Sequence, residues 1–188
     1  MPFLALLDAN VLYPARLRDV LLSVAESGLY RVIWTQRILD EMVTSVLTDR
    51  PDLTAEQLQG VVACMNRAFP DALITGHETL EVAMTNHAED RHVLAACIRG
   101  RADVVVTGNV KHFPPESCAP FDLDVQTPDE FLLHAYDLRP ERFMSAVSVM
   151  LQRNQSSPRT IPEFLESLRM FTPELVERIR QGGLADAT

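Results

Sequence analysis

Two short apolar runs of the chain lack the helical spacing found elsewhere. Residues 3–7 read Phe-Leu-Ala-Leu-Leu, and residues 104–106 are Val-Val-Val. Short unbroken runs of this kind suit strands buried on both faces, as in a parallel sheet under helices. Between and around them the apolar positions recur at helical spacing. Leu17, Val20, Leu21, Val24 and Ala25 predict a helix that Gly28 stops. Residues 30–34 predict a second strand. Thr35 caps a helix over 35–48 with Leu39, Met42, Val43 and Val46 as its buried stripe. Thr54 and Gln57 form a capping box for a helix over 54–69. Residues 72–75 fit a short strand, and 77–84 fit either a strand or a helix. Asn86 and Glu89 have the spacing of a second capping box, before a helix carrying Val93, Leu94, Cys97 and Ile98 and ending at Gly100. A Pro-rich loop over 111–120 precedes a last strand, 123–126. From 128 the pattern is helical, over about 128–137, 140–153, 162–171 and 173–181, each helix with Pro at its start. The Ser-containing segment 155–160 reads as a linker.

Strands alternating with helices through residue 127 predict an α/β fold with a mostly parallel central sheet between helices. The remainder predicts a C-terminal all-helical extension. We divide the chain accordingly, into 1–127 and 128–188.

Composition narrows the function. The net charge of −9 opposes a general nucleic-acid binder. It does not oppose a nuclease, whose acidic metal ligands depress the count. The basic residues are almost all Arg, with Lys111 the single lysine. Cys64, Cys97 and Cys118 are odd in number and widely spaced, which predicts buried free thiols rather than disulfides or a zinc site. No apolar run reaches the roughly 20 residues of a membrane span. The N-terminal run is too short for a signal peptide, so a cytoplasmic protein without a membrane partner is expected.

The candidate chemistry begins at Asp8. Ligand sites of open α/β sheets lie beyond the carboxyl ends of the strands, and a buried strand has little reason to finish in a carboxylate. Asp90 continues the helical face of Val93 and Leu94 toward the N-terminus. Glu41 lies near the edge of its helix's apolar stripe, and Asn109 follows the 104–106 strand. Neighbouring first and third strands would bring Asp8 and Asn109 to one sheet edge. Carboxylates gathered at a half-buried site repel one another, and a divalent cation removes that cost. Oxygen donors suit Mg²⁺ or Mn²⁺, and the chemistry that follows is hydrolysis of a phosphodiester. Plainer uses exist for each residue: a strand-end turn for Asp8, a first-turn helix acid for Asp90, an ion pair with Arg37 for Glu41, a turn for Asn109. His92 and His112 read as surface histidines. Arg91 and Lys111 read as a phosphate-binding rim or as solvated surface.

Four segments carry a family resemblance. They are Leu-Leu-Asp-Ala-Asn-Val-Leu around Asp8, Trp-Thr-Gln-Arg-Ile-Leu-Asp-Glu ending at Glu41, Glu-Asp-Arg-His-Val-Leu-Ala-Ala around Asp90, and Ala-Asp-Val-Val-Val-Thr-Gly-Asn-Val-Lys-His-Phe ending at Phe113. In this order and spacing, over about residues 3–127, the chain resembles a PIN-domain ribonuclease, in particular the toxin of a VapC-type toxin–antitoxin pair. The resemblance implies a PIN-like three-layer fold and a Mg²⁺ or Mn²⁺ site at Asp8, Glu41 and Asp90. It also implies an RNA substrate, homodimers and an antitoxin whose tail blocks the site. Asn109 stands where many members carry a fourth Asp, which weakens a second-metal site. The extension from Pro128 resembles a helical region found in a subset of these toxins. Two other readings remain at this point. One is a non-catalytic PIN-like module that binds RNA or a partner. The other is an Asp-nucleophile phosphatase or phosphotransfer enzyme, which wants an acid where Asn10 stands and a later Lys that Lys111 fits poorly.

Overall fold

A computed structural model describes residues 2–182; Met1 and the last six residues of the predicted extension lie outside it. In chain order the elements begin with strand β1 (Leu4–Leu7), the single-turn helix α1 (Ala9–Leu12), α2 (Ala15–Glu26), β2 (Arg31–Ile33), α3 (Gln36–Asp49) and α4 (Ala55–Ala68). Then come α5 (Arg91–Gly100), β3 (Val104–Val106), the short α6 (Pro115–Cys118), β4 (Asp124–Gln126) and α7 (Pro128–Leu138). The chain closes with α8 (Pro140–Arg153), α9 (Ile161–Leu168) and α10 (Pro173–Gln181).

The four strands form one sheet in the order β2-β1-β3-β4, every pair parallel. Helices flank it, and the α/β PIN-like class expected from the sequence holds. β1 and β3 lie side by side, with Leu7 opposite Val106. Leu4 is half-buried and every other residue of the two strands is buried, as their unbroken apolar sequences require. From β1 the chain first goes to one side, to β2, and later returns on the other side through β3 and β4. The boundary between β1 and β3 is therefore the switch point, where loops part and leave a crevice at the carboxyl ends of the strands.

Several local expectations need correction. Residues 72–75 make only a single parallel bridge, Trp34 with Leu73, because the segment is too short to pair further. Residues Glu78–Ala83 are a 3-10 helix that packs against α5. The 86–89 capping box does not form. A 3-10 turn, Ala88–Asp90, precedes α5, and the Asn86 amide donates instead to the Asp90 carbonyl at 3.0 Å. The Pro-rich loop is more ordered than its composition implies, holding a 3-10 turn at Val110–His112 and then α6. Cys97 and Cys118 are buried free thiols, but Cys64 is exposed.

The C-terminal helices share the core of the sheet. Phe131 of α7 is buried and packs edge-on against Tyr30, ring centroids 4.7 Å apart, and against Phe3 at 5.7 Å. α8 packs against α2. Asp129 of α7 accepts the Glu174 and Leu175 amides at 2.9 Å each, which caps the first turn of α10. One hydrophobic cluster runs through all of these parts. Among the described residues no helix is long and apolar enough to cross a membrane.

Candidate active site

Asp8 directly follows β1 and serves as N-cap of α1, with its Oδ1 accepting the Ala9 amide at 2.7 Å. Its Oδ2 accepts the Thr107 hydroxyl at 2.7 Å and the Asn10 amide at 2.6 Å. Asn10 also donates to Thr107 Oγ1 at 3.1 Å, and its own Oδ1 accepts the Gly108 backbone N–H at 2.7 Å. The result is a rigid clasp between the ends of β1 and β3, with Asp8 only 3% exposed at its centre. Burial pushes the Asp8 carboxyl above the ordinary carboxylate range; the Thr107 hydrogen bond opposes this, and the charge of Asp90 adds to the rise.

Parallel register explains the position of Thr107. It follows β3 just as Asp8 follows β1, so Thr107, not Asn109, is the residue facing Asp8 across the strand ends. Asn109 lies two residues further on, where its backbone N–H donates to Thr107 Oγ1 at 3.0 Å. The two were expected to meet at one sheet edge. They do share the crevice, with Thr107 standing between them.

Glu41 comes from α3, whose start is fixed by Thr35 Oγ1 accepting the Ile38 amide at 3.1 Å. Its Oε1 lies 3.1 Å from Arg37 Nε and 3.2 Å from His92 Nε2. Partial burial favours a raised carboxyl, but the contacts and fields of His92 and then Arg37 outweigh it and hold Glu41 below its ordinary value. His92 was expected at the surface. It is instead 1% exposed, on the helix α5 against which the 3-10 segment Glu78–Ala83 packs. Its Nδ1 has no partner, so its one polar contact is with Glu41.

Asp90 is the N-cap residue of α5. Its Oδ2 lies 2.6 Å from His112 Nδ1, so His112 too faces the acids rather than open solvent.

Asp8, Glu41, Asp90 and Asn109 all line one open cleft of about 550 Å³ at the switch point. Asn10, Tyr13, Asp49 and the hydroxyl residues Thr44, Ser45 and Thr48 complete much of its wall. Tyr13 donates to Asp49. Among the described residues no Lys or Arg lines the cleft; Arg91 and Lys111 lie outside it, Arg91 with its Nε enclosed and unpartnered. Four carboxylates in one crevice, one of them nearly buried, are a donor set for a hard divalent cation, which keeps several waters and takes oxygen ligands. The residues present thus fit such an ion. Sequence reasoning missed Asn10, Thr107, His92 and Asp49. Parallel register pointed to Thr107, whereas the contact of His92 with Glu41 depends on how α5 sits against α3.

The profile of the PIN domain matches residues 5–111, and that of the VapC50 C-terminal domain matches residues 128–181. A protein of Mycobacterium tuberculosis strain H37Rv named "Putative ribonuclease VapC50" is 37% identical over 116 residues, covering 60% of this chain and 69% of that one. No solved structure matches the chain. The chain belongs to the PIN-domain family and, within it, to the VapC type.

Proposed function

We propose that the protein is a Mg²⁺- or Mn²⁺-dependent endoribonuclease, the toxin of a type II toxin–antitoxin pair. The observation that carries this reading is the convergence of Asp8, Glu41, Asp90 and Asn109 on one cleft at the switch point of the sheet, with no basic side chain among them. The name of the mycobacterial relative, a ribonuclease, supports the substrate class.

Asp8, Glu41 and Asp90 would hold the ion. When bound, a divalent cation supplies Lewis-acid stabilisation and a lowered pKa for the attacking water. Asp8 keeps a fixed orientation through Thr107, Asn10 and the Ala9 amide. Glu41 is set by Arg37 and His92, and Asp90 by His112. Asn109 presents an uncharged carboxamide to the same cleft, suited to orienting water without adding charge. The only charged side chains in the cleft's lining among the described residues are the four carboxylates Asp8, Glu41, Asp49 and Asp90, so the approach of RNA phosphates depends on the cation. Arg91 and Lys111, outside the cleft, serve as the outer contacts to the RNA backbone. The protein works in the cytoplasm as a homodimer held in check by an antitoxin. Residues 1–127 form the nuclease unit and 128–188 the C-terminal unit.

Cleavage of total cellular RNA, with and without Mg²⁺ or Mn²⁺, tests the reading. Discrete metal-dependent fragments are expected from wild type and none from Asp8→Asn. A folded wild type that binds no divalent ion and leaves a broad RNA panel intact would refute it. Wild type that binds metal without cutting would point to Asn109, and restored cleavage in Asn109→Asp would confirm that cause.

A further inference from the structure

Among the described residues, one group of three ligand-type side chains offers one ligand atom from each within 4.8 Å of the other two, and it is not the acidic trio. It is His87, Asp90 and His112. His87 and Asp90 bracket a 3-10 turn closed by the Asp90 amide donating to the His87 carbonyl at 2.9 Å. His112 ends the neighbouring turn, and the His87 amide donates to its carbonyl at 3.1 Å. Backbone hydrogen bonds therefore fix all three Cα positions without using the side chains. His112 Nδ1 already faces Asp90 Oδ2 at 2.6 Å. The side chain of His87 is 47% exposed, stacked on His112 with ring centroids 4.1 Å apart and planes 17° apart.

Two imidazoles and a carboxylate, open to solvent on one side, are the donor set of sites with three protein ligands and water. Imidazole favours borderline transition ions such as Zn²⁺, whereas Mg²⁺ takes oxygen. Bonds of about 2.05 Å in a tetrahedron place ligand atoms roughly 3.3 Å apart, so the cluster must contract. Near-parallel rings cannot both aim an in-plane lone pair at one ion. The movement falls on His87, whose exposed ring is held only by the stack and a 4.0 Å contact with Glu89.

We propose that His87, Asp90 and His112 form a second metal site, for a borderline divalent transition ion of the Zn²⁺ type, whose occupation claims Asp90 and so restrains the nuclease. Binding stands on the cluster alone; the restraint rests on the function proposed above, in which Asp90 serves the oxygen-donor site.

The test uses untagged full-length protein freed of metal, with Co²⁺ as a coloured stand-in and Zn²⁺ as competitor. Wild type should develop a visible d–d absorption on adding Co²⁺, and Zn²⁺ should displace it. His87→Ala, at an exposed position, should raise the Co²⁺ dissociation constant at least tenfold, and His112→Ala should do the same. Asp8→Asn, which alters only the oxygen-donor site, should keep the band. Unchanged binding in both histidine variants, or a band lost in Asp8→Asn, overturns the second site. In a cleavage assay with Mg²⁺ present, Zn²⁺ should inhibit wild type, and His87→Ala should need at least tenfold more Zn²⁺. A site that binds Co²⁺ without Zn²⁺ inhibition of an active enzyme overturns the restraint. Absence of nuclease activity in every variant, with Co²⁺ binding as expected, refutes the proposed function and leaves the site standing.

Discussion

Asp8 sets folding against chemistry. Three donors hold its carboxylate, yet burial and the nearby Asp90 charge lift its pKa above the ordinary 3.8. A carboxyl raised in the folded state binds its proton more tightly there than in the unfolded chain. Stability is thus greatest below the unfolded value and falls as pH rises through the interval up to the folded one. Asp8→Asn removes this titration. In metal-free buffer, the melting temperature of Asp8→Asn relative to wild type should increase as pH rises from about 3.8, whatever the offset between the two proteins. A constant difference across pH 3–7, measured by thermal melts, would show that Asp8 is not strained by its burial. His92 allows a second prediction at this scale. Its single polar contact orients Glu41, and losing a group that orients a ligand typically costs about 10–100-fold in metal affinity or activity. His92→Leu should therefore raise the Mg²⁺ or Mn²⁺ needed for half-maximal cleavage by about that factor, whereas His92→Gln, which keeps an N–H donor, should recover part of it. Equal losses in the two variants would mean that packing, not the contact with Glu41, is what matters.

At the level of elements, strands and helix stripes were readable because their apolar periods are strict. The β1 and β3 runs, the α3 stripe and the C-terminal helices stand where the pattern put them, except that α9 begins at Ile161 and ends at Leu168, three residues short of the expected 171. The expectations that failed fall on short segments that carry no long apolar period. Residues 72–75 carry strand-like residues but find only Trp34 to bridge. Asn86 had the spacing to begin a capping box, yet the chain makes a 3-10 turn there and starts α5 only at Arg91. The site shows the same division. Asp8, Glu41 and Asp90 were legible as carboxylates on strand ends and helix faces, whereas the Asn10–Thr107 clasp required knowing that β1 and β3 are neighbours. The cap on α10 is another tertiary feature, since Asp129 stands in α7, 45 residues before Glu174. Asp129→Ala leaves two backbone amides without that acceptor and should cost about 1–2 kcal/mol. In a domain of this size that lowers the melting temperature by roughly 2–8 °C. An unchanged melting temperature would show that water caps α10 equally well.

For the whole molecule the decisive feature is that the nuclease-like sheet and the C-terminal helices share one hydrophobic cluster. Phe131 reaches from α7 edge-on against the stacked rings of Phe3 and Tyr30, which stand just before β1 and just before β2, and α8 packs against α2. β1 carries Asp8 at its end, so the packing of Phe131 and the position of the cleft depend on the same strand. The profile matches at 5–111 and 128–181 separate two units of sequence. The shared core predicts that they do not fold separately. Phe131→Ala removes a fully enclosed ring and should cost about 3–5 kcal/mol, a large part of the stability of an ordinary domain. A fragment ending at residue 127 loses that ring together with the cover over α2, and exposes Tyr30 and the buried side of α2. It should show no cooperative thermal transition and should bind hydrophobic dye, while the full chain melts in one step. Fragment 1–127 melting cooperatively, with the metal affinity of the intact protein, would show instead that the extension is an independent module resting on a self-sufficient nuclease unit.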